Sequence, residues 1–258
     1  MKSNTLNDSL LSTKSLVTIS LLTSISIILA RVMGLLIPIA GFPALKINFS
    51  AVPIILSGIM FGPVAGFMTG GVADVIGYLI NPQGGAFFPG FTLSTALTGM
   101  IPGLIYKLIK TKDILKKFNF NYINAFFILL TSLGLGFAFY AKDVLSFTGG
   151  IHFNGERVST LIVALIVTAI VVYIILPFYI NKTVYTKTNL YSFDKLYFTV
   201  SITQIITSLI LNTYFLSILF GKGVLVFIPT RIVTNYIMIP VFTIILAVLF
   251  KTLKLEEF

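Results

Sequence analysis

Arg31 and Asp74 are the only formal charges deep inside the long apolar stretches of this chain, Leu16 to Ile37 and Val64 to Ile80 respectively, Lys107 lying at the very end of its own stretch. A charge at the centre of a membrane helix costs about 2.5–3.5 kcal/mol on insertion scales, so each must face a cavity or the other. A guanidinium fork beside a carboxylate offers fixed donors and paired acceptors, which is recognition chemistry for a small polar or charged molecule. At about 1.5 Å of rise per residue, Arg31 falls roughly 9 Å below the outer end of its stretch, and Asp74 at about the same depth in its own. Asn212, in the stretch Leu196 to Phe220, is similarly deep, and Arg231 opens the last stretch from the outer side. Four polar groups from four helices thus meet at one level. The plainer alternatives are a structural ion pair, an interhelical hydrogen bond at Asn212 and an interface anchor at Arg231; convergence favours a binding site.

Other groups at the same end suit such a site. The loop Asn81 to Gly90 carries Phe87 and Phe88 between turn residues, so it is either an ordinary turn or a cap that stacks on a flat ligand. Lys46 and Lys222 could draw in an anion or simply be solvated loop charges. Ser26, Ala30 and Gly34 recur at every fourth position of the first stretch, a small-residue stripe that lets another helix approach closely. Catalysis fares worse. A membrane-embedded enzyme needs a nucleophile with its base, paired aspartates or metal ligands. This chain has one His, His152 in a loop, and no Cys. No catalytic residue, metal ligand or cofactor is assigned.

The elements that must hold these groups are membrane helices. Of 258 residues, 57% are hydrophobic and 10% charged, with mean hydropathy +1.01; soluble domains carry about 25% charged residues. The sequence predicts an all-α integral membrane protein, a single membrane domain over residues 1–258. Its spans are Leu16 to Ile37, Phe49 to Phe61, Val64 to Ile80, Phe91 to Ile109, Tyr122 to Tyr140, Thr160 to Ile180, Leu196 to Phe220 and Ile232 to Phe250. The first could be mistaken for a secretory signal, but it is too long and lacks a clean cleavage site. Gly62-Pro63 and the run Asn81 to Gly85 punctuate the short second and third spans. The net charge of +10 is concentrated beside the apolar runs, at Lys2 and Lys14, Lys107 to Lys117, Lys182 to Lys195, and Lys251 and Lys254. Threading eight spans puts all four groups on one side, so they are orientation charges rather than a nucleic-acid surface. A multi-pass cell-membrane protein with both termini cytoplasmic follows. The chain lacks a nucleotide-binding motif and a convincing internal repeat, so any pumping must draw on a partner or an ion gradient.

Several stretches resemble a known family. Leu45 to Phe49 with Val52-Pro53, Met60 to Gly66 and Ala73 to Gly77 resemble the substrate-binding S components of energy-coupling factor (ECF) vitamin transporters. Phe88 to Ser94, Leu211 to Lys222 and Pro229-Thr230-Arg231 look like the folate-specific subgroup. The resemblance covers residues 16–110 and 196–251 and implies a six-helix core, with 120–182 as an inserted transmembrane helix pair. It implies a high-affinity folate-binding subunit that takes the vitamin from outside. Delivery would require a transmembrane coupling subunit and two cytosolic ATPases. Substrate-binding residues on this reading are Arg31, Lys46, Asn48, Asp74, Phe88, Phe91, Asn212, Tyr214, Lys222 and Arg231. Ser26, Ala30 and Gly34 would meet the coupling subunit. An S component for riboflavin, which Leu45 to Phe49 also resembles, and an ion-coupled carrier working without ATPases are the alternatives.

Overall fold

The computed structural model describes residues 12–32, 34–39, 42–82, 86–140, 145–146, 152–153, 156–157, 171, 175 and 190–252. Helix α1 spans Thr13–Arg31 and is capped by Ser12, whose Oγ accepts from the Ser15 backbone N–H at 3.2 Å. The first apolar stretch was expected to stay helical to Ile37. Instead α1 stops at Arg31, and the chain enters an antiparallel hairpin of β1 (Leu35–Ile39) and β2 (Phe42–Ile47), with Leu36 opposite Lys46. An apolar run of this length reads the same as helix or buried strand by hydropathy, and Gly34 with Pro38 breaks the helical option.

Two short helices follow, α2 (Ala51–Phe61) and α3 (Pro63–Ile80). Between them Gly62 takes φ 94°, a left-handed turn that suits glycine, and Pro63 starts α3 where a missing N–H is harmless. Helix α4 runs Pro89–Thr111, α5 is the short Asp113–Lys117, and α6 spans Asn121–Tyr140. Three two-residue strands, β3 (Leu145–Ser146), β4 (His152–Phe153) and β5 (Glu156–Arg157), lie in the segment expected to be a loop. The expected span 160–180 lies outside the described residues, apart from Val171 and Ile175, both helical. One continuous span then comprises α7 (Phe193–Gln204), a π-helical segment (Ile205–Asn212) and α8 (Thr213–Phe220). Gly221 ends it in the left-handed region at φ 62°, and α9 runs Ile228–Thr252.

The helical membrane bundle is therefore as the sequence predicts. Among the described residues five helices are long and apolar enough to cross a membrane, and Ala51–Phe61 and Asn121–Gly134 are shorter apolar helices.

Helices α2, α3 and α4 pack with backbone against backbone. A Cβ placed on Gly58 would stand 2.0 Å from the Gly99 carbonyl oxygen, and one on Gly99 would stand 2.1 Å from the Gly66 carbonyl oxygen. Where lipid tails are as apolar as side chains, such close contact is what holds helices together. Ser57 and Thr69 add a buried hydroxyl–hydroxyl hydrogen bond of 2.7 Å between α2 and α3. Helix α6 is tied to α7 at the lysine-rich end. Asp194 Oδ2 accepts from the Phe120 N–H at 3.0 Å, Asn124 Nδ2 donates to the Asp194 carbonyl at 2.9 Å, and Lys195 Nζ donates to the Lys116 carbonyl at 2.7 Å.

Overpacking a tight core costs about 1–3 kcal/mol. Gly99→Ala is accordingly expected to lower the thermal midpoint of the detergent-purified protein by several degrees. Gly136→Ala, at a position with open space around it, should leave the midpoint unchanged or slightly raised.

Candidate functional site

A cavity of about 310 Å³ opens between α1, α3, α4, the π segment, α8 and α9. Its wall comes from the end of α1, the C-terminal half of α3 and the starts of α4 and α9. The lysine-bearing ends of these helices, at Lys14, Lys107, Lys110 and Lys251, lie at the opposite end of the bundle.

One wall is built on Arg31. This residue sits in the last turn of α1, where a cation complements the helix dipole, rather than mid-helix as the longer expected span implied. Its Nη2 contacts Asp74 Oδ1 at 3.4 Å and donates to the Asp74 carbonyl at 3.3 Å, while Nη1 donates to the Asn81 carbonyl at 3.0 Å. Asp74 Oδ2 accepts from Thr92 Oγ1 at 2.8 Å. The Arg31 side chain is 8% exposed and that of Asp74 20%. Gly77, one turn beyond Asp74 on α3, leaves room for the guanidinium: a Cβ there would lie 2.7 Å from Arg31 Nε. The pair thus joins the end of α1, the body of α3, the residue after α3 and the first turn of α4.

The opposite wall is polar and less complete. Arg231 in the first turn of α9 and Asn235 one turn later share a helix face, at 9% and 5% exposure. Asn212 closes the π segment. Arg231 Nε, Asn235 Nδ2 and Asn212 Oδ1 are all enclosed, and none has a hydrogen-bond partner among the described residues. The π winding is held by Ser94 Oγ, which donates to the Thr207 carbonyl at 2.9 Å, and it brings Gln204, Thr207, Ser208 and Asn212 all to the cavity. Arg31, Asp74 and Arg231 are the charged residues among the described lining, so the cavity carries one positive charge in excess.

Aromatic rings stand at the mouth. Phe88 and Phe91 line the cavity with centroids 5.5 Å apart, and Phe215 packs behind both at 5.6 and 6.2 Å. Gly90 permits the cluster, because a Cβ there would meet Phe88 and Phe215 at 2.4 and 2.9 Å. Tyr78 and Phe87 form a second pair at 5.1 Å.

Seven of the ten residues proposed to bind ligand from the sequence therefore line one cavity: Arg31, Asn48, Asp74, Phe88, Phe91, Asn212 and Arg231. Asn48 uses its Oδ1 to accept the Ser50 backbone N–H at 3.0 Å, which leaves its amide nitrogen as the group it can offer. Tyr214 does not line the cavity. It is 55% exposed, and its neighbour Phe215 takes the inward aromatic place. Lys222 is exposed between Gly221 and Gly223, and its carbonyl accepts from Ser217 Oγ at 2.6 Å. Lys46 lies on β2, and its side chain is outside the described residues. The stripe proposed for a partner helix is turned inward: Ser26 is 1% exposed and donates to the Ser50 carbonyl at 3.1 Å, and Ala30 lines the cavity. Gly34 lies beyond the end of α1 and folds against Ala30. The outward face of α1 carries Ser20, Leu21, Ser24, Ile25 and Ile28 instead. Sequence reasoning missed Tyr78, Gln204, Ser208 and Asn235. Tyr78 stands four residues after Asp74, and Asn235 four after Arg231, so helical spacing alone carried that signal.

Apolar helices around a ligand-sized hollow with a charged and an aromatic wall define a membrane protein with a candidate site for a small polar molecule. The family model of the "ECF-type riboflavin transporter, S component" matches residues 10–182, well over half of the chain, and the chain belongs to that family. It is a family of transporter components and not of enzymes. Among curated proteins, the chain is similar to the folate transporter FolT of Clostridium novyi (strain NT), 40% identical over 75 residues, covering 28% of this chain and 43% of that protein. It is also similar to the riboflavin transporter FmnP of Bacillus subtilis (strain 168), 41% identical over 69 residues, covering 26% of this chain and 35% of that protein. The chain thus spans less than half the length of these relatives. A crystal structure of FolT bound with folic acid has the same fold, with a TM-score of 0.53 and 18% identity over 92% of this chain and 93% of that one.

Removing one member of a buried ion pair leaves the other charge uncompensated. Asp74→Ala is expected to destabilise the protein by about 1–3 kcal/mol, the carboxylate being partly open to solvent. Thermal unfolding should show less loss in the double variant Arg31→Met with Asp74→Ala than the two single losses sum to.

Proposed function

We propose that this chain is the folate-binding subunit of an ECF-type importer. It would capture folate on the outer side and release it inward in complex with a transmembrane coupling subunit and two cytosolic ATPases. The observation that carries the ligand is the surplus positive charge of the cavity. Arg231 is buried, has no acidic partner among the described residues, and stands in a hollow whose other cation is already matched by Asp74. An anionic ligand compensates such a charge, and folate combines a flat heterocycle for the Phe88 and Phe91 rings with a dicarboxylate tail. The likeness to FolT supports the same ligand.

The orientation follows the lysines. With their end cytoplasmic, both termini are inside and the cavity opens outward. On this reading the core is 16–110 with 196–251 and 120–182 is an added pair, of which the described helix α6 packs on α7 and α9. The coupling subunit would dock on a lipid-facing surface. On α1 that surface is the Ser20 and Ser24 side, where small residues permit close approach. Ser26 and Ala30 are occupied by the cavity.

Riboflavin is the second reading, favoured by the matching family and by the FmnP likeness. It is uncharged and would leave Arg231 buried without a counter-ion, at a cost of several kcal/mol. Equilibrium dialysis of the detergent-purified chain against both vitamins separates the two. The expected result is folate bound more tightly by a factor of about 100 or more. Equal or tighter binding of riboflavin would overturn the folate reading, and uptake by the chain alone in liposomes under an ion gradient would overturn the ATP-driven one.

A further inference from the structure

Three enclosed polar atoms on the α9 side of the cavity, Arg231 Nε, Asn235 Nδ2 and Asn212 Oδ1, have no partner among the described residues, themselves included. A buried polar group left unsatisfied costs about 1–3 kcal/mol, so three at one wall mark a surface completed by something that enters. Their types are complementary to a specific edge. Asn235 presents a donor and Asn212 an acceptor, from helices that pack against each other beside the hollow. An edge that carries C=O beside N–H, a lactam, satisfies both at once. Arg231, one turn nearer the start of α9 than Asn235, presents a cation to whatever anionic group follows that edge, and the helix N-terminus adds to its field.

We propose that Asn235 and Asn212 read the lactam edge of the ligand's heterocycle while Arg231 holds its carboxylate, so that the two ends of the ligand are recognised by different residues of one wall. Arg31 and Asp74 are then positioning residues: Arg31 Nη1 and Nη2 and both Asp74 carboxylate oxygens are committed to each other, to Thr92 and to the carbonyls of Asp74 and Asn81, and only Arg31 Nε is left over. This assignment rests on the folate reading and adds Asn235 as a specificity-determining residue.

The test is equilibrium binding of three probes to the full purified chain: folate, 6-hydroxymethylpterin, which has the lactam but no carboxylate, and N-(p-aminobenzoyl)glutamate, which has carboxylates but no pterin. Asn235→Ala is expected to weaken folate and the free pterin by about tenfold to a hundredfold and to leave the aminobenzoylglutamate unchanged. Arg231→Gln is expected to do the reverse, weakening folate and aminobenzoylglutamate and sparing the pterin. Asn235→Leu, close in shape and without a donor, must repeat the Asn235→Ala pattern, and thermal midpoints of all variants report whether they remain folded. Pterin binding untouched by both Asn235 variants overturns the assignment even where folate still binds. Failure of the wild-type chain to bind folate at all overturns the folate reading first, and the assignment with it.

Discussion

Burying charge in an apolar slab is the constraint on which the rest of the structure depends. Water cannot reach into a helical bundle to satisfy a guanidinium, and each one must be answered by the chain or by what the chain binds. Arg31 is answered by the chain. Its fork engages Asp74 and two carbonyls, and Asp74 passes the contact on to Thr92, so a single cation draws together α1, α3 and α4 at the rim. Arg231 is not answered in the same way: no carboxylate among the described residues pairs with it. On the proposed assignment, the difference between the two arginines separates architecture from recognition in this cavity.

Much of the site is legible in the sequence because charge in an apolar run is rare. Arg31, Asp74, Asn212 and Arg231 stand out by type alone, and counting residues to the ends of their spans is enough to bring them to one end of the bundle. The errors come from backbone geometry that hydropathy does not encode. The first span ends six residues short of Ile37 and turns into a hairpin. Ser26 and Ala30 then face the cavity, since that face of α1 meets Ser50 at the start of α2. The π segment Ile205–Asn212 winds more widely than an α-helix, so a 3.6-residue period carried through it assigns faces wrongly beyond it. Tyr214 and Phe215 show the result: the tyrosine points outward and the phenylalanine joins Phe88 and Phe91. The tight packing of α2, α3 and α4 went unread, although Gly66 and Gly70, and Gly99 and Gly103, each pair spaced by four, carry a signal for it.

The lysine clusters and the cavity occupy opposite ends of the molecule, and the separation has a simple origin. Helices that end in lysine keep that end in the cytosol during insertion. On the proposed orientation, a site assembled from the other ends of α1, α3, α4 and α9 faces away from it without any further specification. Membership of a transporter family fits an arrangement in which binding chemistry and orientation signal never share an end.

The glycine contacts have a mechanical consequence. Where Gly58, Gly66 and Gly99 bring backbone against backbone, no side chain remains to change rotamer, and the α2–α3–α4 layer has little means of yielding. Across the hollow, α8 meets the residue just before α9 through side chains, Leu216 and Phe220 with Phe227, which can repack. The binding hollow therefore lies on a seam between a stiff half and a compliant one, and a bulkier occupant would be accommodated by displacement of the compliant side alone.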